Sequence, residues 1–166
     1  IKDENPDYLV CAFDSKEKTF RHKIYKDYKA NRPEMPIELQ EQIPHLWELL
    51  DAMNISVLKK PGFEADDIIG ILCSTISEEI MIISGDKDFI QLQYYKGVEQ
   101  YAPIQKKMVG FDEDGIKLDP KEFLLEQILK GDRSDGIPNI LSPDDCFVTG
   151  EKQKPMTKKD LMNTHV

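Results

Sequence analysis

The sequence predicts an α/β fold, a mainly parallel sheet with helices on both faces. Three observations lead there. Short apolar runs bounded by polar residues, at 8–13 (YLVCAF), 55–58 (ISVL) and 80–84 (IMIIS), read as strands. The segments between them carry apolar residues every three or four positions, the period of a helix packed along one side. Strands separated by helices of this length imply right-handed crossovers and parallel pairing.

Taken in order, the first strand is a buried run that ends in Asp14. Residues 16–35 have little apolar periodicity and run into Pro33 and Pro36, so they form an exposed, partly helical excursion. A helix follows over 37–53, with Leu39, Ile43, Leu46, Leu50 and Met53 on one side and Pro44 expected to kink it or mark a restart. After the strand at 55–58, Pro61 and Gly62 turn the chain into a helix over 65–76 whose inward stripe is Ala65, Ile68, Ile69, Leu72 and Ile76. The strand at 80–84 is followed by two shorter ones at 98–102 and 107–111. A helix over 120–130 is opened by Asp119 as N-cap and stopped at Gly131. The pattern weakens after Gly131, and 157–162 begins a final helix.

The chain has 166 residues, 40% hydrophobic and 32% charged, the length and balance of one globular core. No stretch approaches the roughly 20 apolar residues of a membrane-spanning helix. Cys11, Cys73 and Cys146 are too few and too widely spaced for a disulfide scaffold or a CxxC knuckle, and read as reduced thiols of a cytoplasmic protein. The chain opens on Ile1, with residues upstream expected.

A net charge of -9 argues against a nucleic-acid partner until its distribution is read. Residues 16–32 hold seven bases (Lys16, Lys18, Arg21, Lys23, Lys26, Lys29, Arg32) and two acids, while 64–88 hold seven acids and one base. Open parallel sheets bind ligands beyond the carboxyl ends of their strands. Two strands here run into aspartate there, one into Asp14 and one into Asp86 with Asp88 behind it, and the turn at 61–63 delivers Glu64, Asp66 and Asp67 to a helix start. Acids at a helix start also answer the helix dipole, so one of these is equally a cap. Asp132 and Asp135, three apart, can reach one ion. An all-carboxylate set suits a hard cation, Mg²⁺ or Mn²⁺, and argues against zinc. His22, His45 and His165 fit no ligand spacing and read as structural or surface residues.

The segments AFDSKEKTFRHKIYKDYKANR, GFEADDIIG, IISGDKDFIQL and LKGDRSDGIP, in this order, resemble the 5′-nuclease (5′-3′ exonuclease and flap-endonuclease, PIN-like) family. Its members include the N-terminal nuclease domain of DNA polymerase I and the phage ribonucleases H. The resemblance implies a divalent-metal-dependent nuclease acting on a 5′ end or flap of DNA or RNA/DNA, in a bacterial or phage-infected cell, in replication and repair alongside replication proteins of unspecified identity. It implies two ions: one held by the matches Asp14, Glu64, Asp66, Asp67 and Asp86, the other nearer Asp86, Asp88, Asp132 and Asp135. Two such ions about 4 Å apart hydrolyse a phosphodiester bond in line, without a covalent intermediate. Lys29 and Arg32 match the positions that approach the scissile phosphate and are the expected catalytic cations. Arg21 and Lys26 steer the strand, and Tyr28 joins Lys29 and Arg32 as a nucleic-acid contact able to stack on a base.

The family begins with an earlier strand, bearing another metal-binding Asp, and a helix. Neither is matched here, so the expected fold lacks its N-terminal strand, and the strands around Val10 and Ile82 flank a gap. The expected domains are a catalytic core at 1–136, incomplete at its N-terminus, and a partial C-terminal region at 137–166. With Gly136 ending GDRSDG where the family has Asn, that region diverges from a helix-three-turn-helix element. The alternative reading is a catalytically incomplete nucleic-acid-binding fragment. A haloacid-dehalogenase-like phosphatase is discounted, because it needs an Asp two residues after the first and Asp14 is followed by Ser15 and Lys16.

Overall fold

A computed structural model describes residues 5–163, and it is α/β with parallel strand pairing. The strands divide between two sheets, and the chain's contacts group into two compact units where its length suggested one core: residues 1–26 with 32–71, and residues 27–31 with 72–166.

In the first unit, β1 (Val10–Phe13) pairs in parallel with β2 (Ser56–Lys59), with Val10 opposite Ser56 and Phe13 opposite Lys59. The basic excursion between them contributes only a short helix, α1 (Phe20–Ile24), as its lack of an apolar stripe foretells. Then comes α2 (Ile37–Ala52), unbroken through Pro44. A single proline removes one amide from the ladder, and the flanking turns carry the helix across it. The packing of α2 on β2 is anchored where Trp47 meets the edge of Phe13 at 6.3 Å and the Lys59 ammonium lies 4.8 Å from the indole centroid. A two-stranded sheet covers only part of such a helix. Leu50 is buried, while Leu39, Leu46 and Met53 of the expected stripe stay exposed, and Val10 on the first strand is 43% exposed. The unit ends inside α3 (Ala65–Thr75).

The second unit is built on β3 (Ile80–Ile83), β4 (Val98–Ala102) and β5 (Lys107–Met108), in that order, β3 parallel and β5 antiparallel to β4. A 3-10 helix (Lys87–Tyr94), absent from the sequence expectation, connects β3 to β4 and buries Phe89 and Ile90. It packs on α4 (Pro120–Lys130), which buries Leu129. Helix α4 has the bounds its signals predict: the Asp119 carboxylate accepts from the amides of Lys121 and Glu122, and Gly131 terminates it at φ 65°. The weakly patterned stretch after it is tied down by polar contacts that periodicity cannot reveal. Asn139, 7% exposed, donates its backbone amide to Gln153 Oε1 and its side-chain amide to the Lys154 carbonyl, and accepts from Ser142 Oγ. Cys146 is wholly buried. The last helix, α5 (Lys158–Asn163), starts on a reciprocal Thr157–Asp160 cap.

Gly131 has a second constraint besides its positive φ: a Cβ there would meet the carbonyl oxygens of Ile137 and Pro138 well inside contact distance. Gly131→Ala is expected to lower stability by about 2–4 kcal/mol, combining left-handed strain with the clash. Urea denaturation checks it, and a loss below about 1 kcal/mol would show that the turn yields readily.

Candidate metal and nucleic-acid site

Four of the predicted acids belong to the first unit. Asp14 leaves the end of β1 exposed, and its Oδ1 accepts the Ala65 amide at 2.7 Å. Ser15 ties the same corner to the turn before α3: its amide donates to the Phe63 carbonyl, and its hydroxyl accepts from the Gly62 amide. Glu64 is buried, 6% exposed, and Asp67 Oδ2 reaches back to accept the Glu64 amide at 2.9 Å. Asp67 is therefore partly a cap, the ordinary role of an acid in a first turn. Asp66 faces solvent.

Arg21 supplies the counter-charge. Its guanidinium grips Asp67 with two bonds, of 2.9 and 2.7 Å, and lies 3.7 Å from Glu64. Helix α1, five residues long, is steadied for this by a reciprocal cap in which Thr19, 3% exposed, bonds His22 Nδ1. His22 is thus structural, His45 faces Glu48 on the exposed side of α2, and His165 lies outside the described residues. Arg21, expected to steer a nucleic-acid strand, is held here in ion pairs with Asp67 and Glu64. Charge segregation along the sequence could not reveal that, because the two segments meet only in the fold.

The other four acids belong to the second unit. Beyond β3 the Asp86 amide donates to Ser84 Oγ, and Asp86 Oδ1 caps the 3-10 helix by accepting the Asp88 amide at 3.0 Å. Past Gly131 the chain folds into a tight turn closed by the Ile137 amide on the Asp132 carbonyl, with Asp132 Oδ1 accepting the Ser134 amide and hydroxyl, both at 2.7 Å. Asp86, Asp132 and Asp135 all lie close enough to Asp88 to raise its pKa. The larger cause is lost solvation: Asp88 keeps part of its surface in water, yet neighbouring atoms crowd its carboxyl.

Residues 27–31 of the basic segment lie against the same turn. The Lys29 amide donates to the Asp135 carbonyl at 2.8 Å, Asn31 Nδ2 donates to the Arg133 carbonyl, and a Cβ on Gly136 would come within 3.2 Å of the Asp27 carbonyl. Lys29 adopts φ 58°, a left-handed conformation uncommon for a non-glycine residue. Its ammonium stands 4.9 Å from the Tyr28 ring. Tyr28, expected to stack on a base, is 6% exposed, so its ring is packed inside and not laid open on the surface. Lys26 and Arg32 are exposed.

The structure thus gathers Asp14, Glu64, Asp66 and Asp67 at one place with Arg21, and Asp86, Asp88, Asp132 and Asp135 at another with Lys29. Among the described residues, no three His, Cys, Asp or Glu side chains stand as a ready cage for an ion. Hydrogen bonds from backbone amides and Arg21 hold several of the oxygens instead. The donor set is nonetheless all carboxylate, and the crowding around Asp88 is the kind a hard cation relieves. Sequence reasoning missed Gln100, wholly buried on β4, whose side-chain amide donates to the carbonyls of Ser84 and Asp86. A glutamine alternating with Val98 and Ala102 on one side of a strand was the available signal.

The chain presents an α/β frame with acids at strand ends and helix starts, and comparison with known proteins supplies the family. The family model described as "5′-3′ exonuclease, N-terminal resolvase-like domain" matches residues 1–121. The chain belongs to the 5′-3′ exonuclease family. It is 38% identical to DNA polymerase I of Bacillus subtilis over 154 residues, covering 84% of this chain and 17% of that protein. It is 39% identical over 148 residues to a 5′-3′ exonuclease of Buchnera aphidicola, covering 84% of this chain and 50% of that one. The chain therefore spans half or less of these two relatives. Among solved structures it resembles the T5 5′-exonuclease with zinc ions bound (TM-score 0.66, 17% identity, 98% of this chain and 70% of that one). It also resembles the bacteriophage T5 flap endonuclease in a pseudo-enzyme-product complex with DNA and metal ions (TM-score 0.66, 16% identity, the same coverage). Likeness at such identity shows the fold.

Removing Arg21 takes the guanidinium away from one buried and one half-buried carboxylate. Arg21→Ala is expected to lose about 1–3 kcal/mol of stability, discounted for the part of the guanidinium in water, and Arg21→Lys to recover only part of it, because an ammonium cannot make the paired bonds. Equal stability of all three proteins in urea would contradict the pairing. Asp88→Asn tests the second group. A carboxyl whose folded pKa is raised disfavours the folded state while ionised, and the penalty vanishes once pH falls below both pKa values. The variant should therefore melt higher than the parent at neutral pH in EDTA. The difference should fade as pH drops through the carboxylate range, and a lower melting temperature at pH 7 would refute the crowding.

Proposed function

We propose that the chain is the catalytic core of a divalent-metal-dependent 5′-nuclease, hydrolysing phosphodiester bonds at a 5′ end or flap of DNA or of an RNA/DNA hybrid during replication or repair. The observation that carries the reading is the gathering of Asp86, Asp88, Asp132 and Asp135, from distant parts of the sequence, beside Lys29 in a chain of this family. Structural relatives bound to metal ions and to DNA support it.

Under this reading Mg²⁺ or Mn²⁺ binds the second-unit acids, with Asp86 and Asp88 as principal ligands, and a second ion takes Asp14, Glu64 and Asp66. Such ions supply an activated water and neutralise charge at the leaving oxygen. The chain's own residues hold and orient. Lys29, fixed through its backbone to Asp135, offers its ammonium to the phosphate, and Arg32 does the same from the exposed segment that follows. Lys26 adds positive charge that draws the strand in. Arg21 bridges Glu64 and Asp67 and holds them together.

The test is a labelled 5′-flap substrate, in DNA and in RNA/DNA form, incubated with the chain and Mg²⁺ or Mn²⁺. Cleavage should stop in EDTA and fall on the order of 100-fold or more in Asp86→Ala, the scale of losing one electrostatic contact to developing charge. Binding of the flap without cleavage under any metal would favour the non-catalytic alternative.

A further inference from the structure

Gln100 sits in the middle of β4, opposite Ile82 of β3, with 0% of its surface exposed. The β3–β4 ladder ends just beyond Ile83, where the Ser84 amide still reaches the Tyr101 carbonyl. Past that point the chain turns toward Asp86 and has left its partner strand. The Gln100 side chain follows it: Nε2 donates to the Ser84 carbonyl at 2.9 Å and to the Asp86 carbonyl at 2.6 Å. Chemistry fixes the orientation of the amide, since only its NH₂ can face two carbonyl oxygens. Its Oε1 is buried and has no hydrogen-bond partner among the described residues. A side chain kept only to fill space would be apolar, because an unmatched buried acceptor is unfavourable. What distinguishes glutamine here is the pair of donors, and both are directed at the backbone that presents Asp86.

We infer that Gln100 is a positioning residue: its buried amide extends the hydrogen bonding of β4 past the end of β3 and sets the direction in which Asp86 leaves the strand. The inference rests on the metal-nuclease reading for the purpose of that direction, and on the two hydrogen bonds for its existence. Because Asp86 in turn caps the 3-10 helix through the Asp88 amide, one side chain orients both acids.

The experiment uses the full chain in three forms: parent, Gln100→Met, which keeps the bulk and removes both donors, and Val98→Ala, which loosens the same strand away from the acids. Calorimetric titration with Mn²⁺ should show about 10–100-fold weaker binding for Gln100→Met, the range for losing an outer partner of a metal ligand, and near-parental binding for Val98→Ala. Hydrogen exchange in EDTA should show the Asp86 and Asp88 amides exchanging faster in Gln100→Met alone. Parental Mn²⁺ affinity and parental exchange in Gln100→Met would overturn the positioning role. A parent that binds no Mn²⁺ would overturn the metal reading instead, with the exchange comparison still deciding the role of Gln100. If Gln100→Met does not fold, Gln100→Asn, with the amide on a shorter arm, is read in the same two measurements: weakened binding and faster exchange support the role, and parental values overturn it.

Discussion

Like charges must be held together in this protein, and much of its local structure answers that demand. Carboxylates in proximity repel, and the repulsion grows where solvent is displaced. In the first unit the answer is a paired guanidinium together with the amides at the start of α3. In the second unit it is a set of backbone amides, from Asp88, Ser134 and Asp135, turned toward Asp86 and Asp132. Around Asp88, lost solvation first and then the charges of Asp86, Asp132 and Asp135 push the carboxyl pKa up.

These arrangements link local structure to chemistry through short elements whose purpose is otherwise obscure. Helix α1 is a single turn and a half whose product is the placement of Arg21. The 3-10 helix after β3 begins on Asp86 and buries Phe89 and Ile90, so the acid that opens it is anchored by core on its far side. The turn after α4 can close only because Gly131 has no Cβ, and the closed turn brings Asp132 and Asp135 into range of Asp88. Left-handed Lys29 lies along that turn, which gives residues 27–31 a foothold although they have no apolar stripe of their own.

The sequence by itself determined the family, the α/β class, the parallel strands and the bounds of α4, because those follow from local signals: apolar period, caps, glycine stops and motifs in order. It also named the acids, since a carboxylate at the end of an apolar strand is visible in one dimension. Tertiary structure alone decided what each charged or polar side chain faces. Arg21 and Asp67 are far apart in the chain and meet only when α1 and α3 are in place, so a residue that reads as a strand-steering base is an ion-pair partner. Tyr28 reads as an interleaved aromatic and is buried, because burial depends on what packs over a residue and not on its neighbours in sequence. Gln100 falls in the sequence at an inward position of β4, but only the fold shows that it holds the carbonyl of Asp86, because two strands side by side let a side chain from one serve the backbone where the other ends. Patterns along a chain report periodicity and local conformation, whereas electrostatic pairing and buried hydrogen bonds depend on distances that only folding sets.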